Sequence, residues 1–198
     1  MIWLIAIFPL AYLLGSIPSS VWLGKALRGI DLREHGSGNA GATNAFRVLG
    51  KPIGVAVLVL DMGKGFLAVY LSRLQHLVLP DTESFALVQV TLGLLAVTGH
   101  LFPLFARFRG GKGVATLAGV GLAVHPLAAL STLGTYLVAF LVSGISAVGS
   151  LVAVVTYPFW IMAVFRSEYK SFWVFSIVVP LLVILTHRSN IKRLIKRE

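Results

Sequence analysis

Cysteine is absent from the 198 residues, which excludes disulfides, thiolate nucleophiles and cysteine-ligated metal. Charge is scarce too: Asp, Glu, Lys and Arg make up 12% of the chain against 57% hydrophobic residues, and mean hydropathy is +0.89. So small a polar fraction does not cover a soluble globule, and the apolar side chains must face lipid or one another. Acidic residues are the scarcest charged class, 7 against 17 Lys and Arg, which leaves a formal charge of +10. That imbalance fits helix orientation, attraction to anionic headgroups and the binding of phosphate-bearing substrates. Nucleic acid is not expected as a partner, because no soluble basic domain is present to carry it. The first apolar stretch, Met1 to Gly24, lacks a positive n-region and reads as a retained helix rather than a cleaved signal peptide.

What is present is a series of long apolar segments, at 2–24, 53–71, 85–105, 113–124, 127–142, 147–165 and 172–185, seven in all. Crossing the hydrocarbon takes about 20 apolar residues in a helix. The fourth segment is short and His125-Pro126 divides it from the fifth, so the pair reads either as a tight helical hairpin or as a kinked, incompletely spanning helix. Seven crossings place Lys25, Arg28, Arg33, Arg47, Lys51, Arg107, Arg109, Lys112 and the basic tail on one side, and Arg73, Arg166 and Lys170 on the other. Six crossings would send the basic tail outside. The positive-inside rule therefore predicts an all-α, polytopic membrane helix bundle of seven transmembrane helices, N-terminus outside and C-terminus cytoplasmic. Residues 1–198 read as a single integral membrane domain whose longest loop is 25–52.

The polar chemistry gathers in three places. The first loop carries Gly36-Ser37-Gly38-Asn39-Ala40-Gly41-Ala42-Thr43-Asn44-Ala45-Phe46-Arg47. Its glycines permit positive φ and close backbone approach, so amide N–H groups can converge on an anion, with Ser37, Asn39, Thr43 and Asn44 as neutral donors and Arg47 as a two-pronged one. The competing reading is a solvated turn, which the density of donors disfavours. Neither a Walker A nor a Rossmann spacing is matched.

The third loop runs from Gly99-His100-Leu101-Phe102-Pro103 to Arg107-Phe108-Arg109-Gly110-Gly111-Lys112-Gly113. Gly110, Gly111 and Gly113 around Lys112 bring backbone and ammonium toward one anion at the start of a helix. Arg107 and Arg109 read as orientation and headgroup charges, and His100 as a residue holding the loop. The last segment ends in Thr186-His187-Arg188-Ser189-Asn190-Ile191-Lys192-Arg193. On a continuing helix His187 and Asn190, and a turn later Arg193, share a face, so an imidazole and an amide can orient a hydroxyl. Taken alone, this segment is equally an interfacial helix with a snorkelling basic face.

Inside the apolar blocks, Asp61 and Lys64 stand at an i, i+3 spacing that lets them pair, and the expected use is helix packing. Gly119, Gly121, Gly134, Gly144 and Gly149 are expected to allow close helix contact. The spacing His76-x4-Asp81 resembles that of thioester-dependent glycerolipid acyltransferases, but the predicted topology puts it on the outer face and it reads as chance.

Three stretches, GSGNAGATN with Arg47, GHLFPLF followed by GGKGVAT, and HRSNIKRL near the C-terminus, closely resemble the bacterial acyl-phosphate:glycerol-3-phosphate acyltransferase family. The resemblance extends over the whole chain in length and motif spacing. It implies an inner-membrane enzyme that moves an acyl group from acyl phosphate to the 1-hydroxyl of sn-glycerol 3-phosphate, giving lysophosphatidic acid and phosphate. It implies no metal, no cofactor and no acyl-CoA or acyl carrier protein as direct donor; a monomer is expected. Carried over by residue, Ser37, Arg47 and Lys112 match phosphate-site positions, and His187 and Asn190 lie near the reacting hydroxyl. The sequence departs from the family at Ala147, where a serine is usual and Ser146 and Ser150 are near, and at Thr186, where the motif often has arginine. His187, Asn190 and Ser37 are the expected catalytic residues. Gly36, Gly38, Asn39, Thr43, Asn44, Arg47, Gly110, Gly111, Lys112 and Ser146 are the expected substrate contacts, on the cytoplasmic face.

Overall fold

A computed structural model describes residues 2–75 and 77–196, with side chains from residue 5 onward. Ten α-helices carry these residues, and no strand occurs among them: α1 (Ile2–Gly15), α2 (Ser19–Arg28), α3 (Ala42–Val48), α4 (Lys51–Tyr70), α5 (Glu83–Leu101), α6 (Val114–Val124), α7 (Pro126–Ser143), α8 (Ser146–Phe159), α9 (Lys170–Thr186) and α10 (Arg188–Lys196). A π-helical turn, Trp160–Val164, extends α8 beyond Pro158.

Local chemistry sets the ends. Pro18 disfavours helix at Ile17 and separates α1 from α2, which bend by 42°. Thr82 accepts from the Phe85 N–H and so caps α5, and the His125 side chain accepts from the Ala128 N–H ahead of Pro126 at the start of α7.

Four helical segments, Lys51–Leu74, Glu83–Ala106, Pro126–Ser143 and Ser146–Val164, are long and apolar enough to cross a membrane. The bent pairs α1 with α2 and α9 with α10, the latter at 62°, bring the number to as many as six. Every apolar segment of the sequence is therefore helical, but α6 has only 11 residues. At 1.5 Å per residue it rises about 16 Å, roughly half the hydrocarbon thickness.

The helices group into two compact units, Met1–Val124 and His125–Glu198, divided at His125-Pro126. In the first, α4 packs against α1, α3, α5 and α6. Its contact with α6 is backbone on backbone: a Cβ on Gly119 would run into the Met62 carbonyl, and one on Gly65 into that of Thr116. Such close approach is how helices gain dispersion energy where water supplies no hydrophobic drive. Gly15 and Gly99 do the same for α1 against α5. Leu32, Ala45, Leu49, Ile53 and Val57 form a buried cluster that anchors the first loop and α3 on α4. Each fully buried leucine contributes about 2 kcal/mol, so this loop is fastened well beyond its backbone hydrogen bonds.

In the second unit α7 and α8 form a hairpin and α9 packs on α8. Gly149 lies against the Tyr136 ring, as a packing glycine should. Gly134 and Gly144 correct the expectation. A Cβ at either meets nothing within 4 Å, and Gly144, at φ 68°, serves to end α7 in the left-handed conformation.

Candidate active site

The first loop is ordered from Asp31 onward by a carboxylate and a guanidinium. Asp31 accepts from its neighbour Arg33 at both oxygens, from Nε at 2.9 Å and from Nη2 at 2.7 Å, and it also pairs with Lys25 at 3.3 Å. The third arm of Arg33, Nη1, donates to the Ala106 carbonyl at 2.8 Å, across 73 positions of sequence. A planar fork is what allows one side chain to hold a carboxylate and a backbone carbonyl together. Arg33, expected as an orientation charge, thus clasps the first loop to the third.

The Arg33 and Lys25 cations hold the Asp31 carboxyl well below the usual carboxylate range. A depressed folded-state value means the ion pair's contribution is whole above the unfolded value of about 3.9, and declines as pH falls toward the folded value. Asp31→Asn is accordingly expected to lower thermal stability in detergent by about 1–2 kcal/mol. The deficit against wild type should be constant from pH 5 to 8 and shrink below about pH 4. A deficit that grew on acidification would contradict this.

Asn44 closes the loop behind the glycines. It is almost fully buried; Oδ1 accepts from the Ser37 N–H at 3.0 Å, and Nδ2 donates to the carbonyls of His35 at 3.0 Å and Leu32 at 3.2 Å. Both amide protons are used inside the protein. The expectation that Asn44 donates to substrate is corrected: it shapes the loop instead. The carbonyl of His35 also accepts the Gly38 N–H at 3.1 Å, so the amides of Ser37 and Gly38 are turned inward rather than toward an anion. Gly36 and Gly38 have φ of 61° and 71°, as the sequence predicted, and a Cβ on Gly36 would strike Asn44 Oδ1. The segment after Gly41 is a helix rather than a turn. Thr43 and Arg47 are exposed on α3, and Ser37 is exposed ahead of it, with Asn39 half-buried.

The third loop comes back over the end of α5. The Gly111 N–H donates to the His100 carbonyl at 3.2 Å, and Gly110 packs against the same carbonyl. Gly111 packs against both the His100 ring and the Ala40 carbonyl, the latter 2.8 Å from where a Cβ would stand. The two glycine loops therefore touch at Ala40 and Gly111, as they do at Arg33 and Ala106. Lys112 follows, half-buried, and Gly113 at φ 82° leads into α6. Arg107, Phe108 and Arg109 are exposed.

Asp61, Lys64 and His100 are buried beneath these loops. Lys64 Nζ lies 2.9 Å from Asp61 Oδ1, the pairing expected from the sequence.

In the second unit, His187 is buried at the bend between α9 and α10, with Nδ1 2.9 Å from the Val183 carbonyl. A carbonyl can only accept, so Nδ1 carries a proton, and in the neutral ring the basic nitrogen would be Nε2. The helix does not continue straight through this residue as predicted. The Ile191 N–H nevertheless bonds to the His187 carbonyl at 2.9 Å, so 187 and 190 keep a helical offset within the first turn of α10. Ser146 opens α8 and its Oγ is 3.1 Å from Tyr136 Oη. His76, half of the chance acyltransferase spacing, lies outside the described residues.

The sequence model of a family described as glycerol-3-phosphate acyltransferase matches residues 5–197. A glycerol-3-phosphate acyltransferase of Chlorobaculum tepidum is 40% identical over a 220-residue alignment that covers 98% of this chain and 94% of that one. One from Fusobacterium nucleatum is 41% identical, covering 94% and 91%. Among solved structures, PlsY, an integral membrane glycerol 3-phosphate acyltransferase crystallised in its glycerol 3-phosphate form, matches with a TM-score of 0.85 at 37% identity, covering 98% of this chain and 92% of that one. Its lysophosphatidic acid form matches at 0.83.

Proposed function

The chain belongs to the glycerol-3-phosphate acyltransferase family, and on that premise we propose that it moves a fatty acyl group from acyl phosphate to the 1-hydroxyl of sn-glycerol 3-phosphate. It is an integral membrane acyltransferase of phospholipid synthesis; the donor, the residues and the topology below are proposed. The products are lysophosphatidic acid and inorganic phosphate. The glycerol oxygen attacks the acyl carbon, the bond between that carbon and the phosphate oxygen breaks, and the hydroxyl proton passes to a base.

Acyl phosphate is a mixed anhydride and already activated, so no covalent enzyme intermediate is needed, which suits a chain without cysteine. Catalysis then consists mainly of positioning two anionic substrates and stabilising the departing phosphate. Arg47 and Lys112 are the proposed cationic ligands, with Gly36, Gly38, Gly110 and Gly111 proposed to let substrate come close to the loops and Ser37, Asn39 and Thr43 to give neutral contacts. His187 and Asn190 are proposed to act on the glycerol hydroxyl, with His187 or a substrate phosphate oxygen taking its proton. Ser146 is a further proposed contact.

The observation that supports this reading most directly is the contact between the two glycine loops, at Arg33 with Ala106 and at Gly111 with Ala40, which gathers Ser37, Arg47 and Lys112 on neighbouring segments of one unit. The proposed setting is the bacterial inner membrane. There seven inserted segments, α6 among them, put the N-terminus outside and the loops, active site and C-terminus at the cytoplasmic face, and a monomer functions as one domain over residues 1–198.

Purified protein in detergent, given acyl phosphate and glycerol 3-phosphate without coenzyme A or added metal, is expected to release lysophosphatidate and phosphate in equal amounts. Replacing acyl phosphate by acyl-CoA or acyl carrier protein thioester should give no product. Turnover with a thioester alone would reject the proposed donor.

A further inference from the structure

The catalytic proposal makes no use of the charged residues buried under the glycine loops, yet their arrangement is specific. The break between α1 and α2 leaves the Ile17 carbonyl outside regular helix, and Lys64 Nζ donates to it at 2.8 Å. Asp61 Oδ1 receives Lys64 at 2.9 Å and the Ser19 hydroxyl at 3.1 Å. His100 Nδ1 stands 3.7 Å from the same oxygen, within ion-pair range but too long for a hydrogen bond. All three side chains are at most 6% exposed.

A pair that served packing alone would be replaceable by apolar side chains, because ionic groups seldom stabilise an apolar interior on balance. Here the charged pair leads to a structure at the surface. The His100 ring extends from the Asp61 side to Gly111, where Nε2 occupies the space a Cβ would take, and the His100 carbonyl receives the Gly111 N–H. The Ala40 carbonyl, from the other glycine loop, closes on the same space, 2.8 Å from where a Gly111 Cβ would stand. A cavity of about 10 Å³ joins these groups, lined by Ser19, Ala40, Asp61, Lys64, His100 and Gly111 among others. Asp61 Oδ2 and His100 Nδ1 have no hydrogen-bond partner among the described residues.

We propose that the His100 ring, standing beside the buried Asp61–Lys64 pair, is a template for the Gly110-Gly111 backbone against Ala40, and so sets the spacing of the two loops for a phosphoryl group. The three are positioning residues, since none is placed against substrate. The proposal rests on the reading of the glycine loops as phosphate-binding.

Inorganic phosphate, a product of the proposed reaction, is the probe, titrated calorimetrically into the full chain in detergent. His100→Ala is expected to weaken phosphate binding about tenfold, an effect of the size seen when the residues behind a ligand are removed. His100→Gln, which keeps a planar polar group against Gly111, should recover most of that loss. Asp61→Asn should weaken binding by a smaller factor, and adding it to His100→Ala should change nothing further, because Asp61 acts through the ring. Wild-type affinity in folded His100→Ala, or in Asp61→Asn if the first does not fold, would overturn the positioning role. So would additive losses in the double variant, or a His100→Gln variant as weak as His100→Ala. Absence of phosphate binding by wild type would overturn the phosphate reading itself, and the template with it. Weakened binding in Arg47→Ala beside intact binding in His100→Ala would reject the template alone.

Discussion

Arg47→Ala and Lys112→Ala are each expected to lower kcat/KM in the acyl phosphate reaction by roughly a hundredfold, with helix content unchanged in both and unfolding temperature unchanged in Arg47→Ala. A hydrogen bond to a charged group is worth about 1.5–3 kcal/mol, and every 1.4 kcal/mol is about tenfold, so loss of one such contact accounts for a factor between ten and a hundred or more. Departing phosphate makes the loss larger in the transition state than in the ground state, so kcat should fall as well as KM rise. Folding should not suffer. Arg47 is exposed on α3, a helix held by the buried Ala45 and by Asn44, neither of which touches the guanidinium as a partner. Arg47→Lys retains the charge but loses the two-pronged geometry, and should fall between wild type and alanine. Steady-state kinetics with each substrate varied in turn, alongside circular dichroism, separates these outcomes. Unaltered kinetics in both alanine variants would remove the two cations from the site.

The contrast between Arg47 and Arg33 shows where sequence reasoning reached and where it stopped. Composition and apolar blocks announce a helical membrane protein because the bilayer requires long, uninterrupted apolar helices, and all seven blocks are helical. The positive φ of Gly36 and Gly38 was legible because glycine permits it, whereas Gly41 of the same motif is extended, at φ −138°. The two arginines look alike in the sequence, however, and what distinguishes Arg33 is an acceptor on the backbone of Ala106, a partner with no side-chain signature. Asn44 was read as a donor to substrate for a related reason: its type declares hydrogen-bonding capacity, but only the fold shows that the Leu32 and His35 carbonyls use it. Helix α3 was missed because seven residues following a glycine-rich turn carry little intrinsic propensity. Burial of Ala45 against the Leu32–Val57 cluster is what holds it. The Asp61–Lys64 pair could be inferred from its i, i+3 spacing. The position of His100 against both Asp61 and Gly111 could not, since it depends on how the end of α5 meets a loop.

His187→Ala is the substitution for which the proposed mechanism predicts the largest fall in kcat, about 10² to 10⁴, the range typical of losing a positioned general base. The argument begins at Val183. Its carbonyl, 2.9 Å from His187 Nδ1, accepts a hydrogen bond from that nitrogen, so whenever the ring is neutral Nε2 is the basic atom. Burial of the ring at the α9–α10 bend limits its rotation. If His187 takes the glycerol proton, kcat should decline on acidification in wild type. That acid limb should disappear in His187→Ala. His187→Gln, able to hold the hydroxyl but not to accept its proton, should keep KM for glycerol 3-phosphate near the wild-type value and still lose kcat. Asn190→Ala should do the reverse, raising KM more than it lowers kcat, because an amide orients but does not titrate. An acid limb that survived in His187→Ala would assign proton transfer to a substrate phosphate oxygen, whose second ionisation lies near pH 6, and leave His187 as a residue that orients the hydroxyl. The two cases differ in one measurable respect: with the phosphate as base, the limb should move when the substrate phosphate is replaced by a phosphonate of different acidity, and with His187 as base it should not.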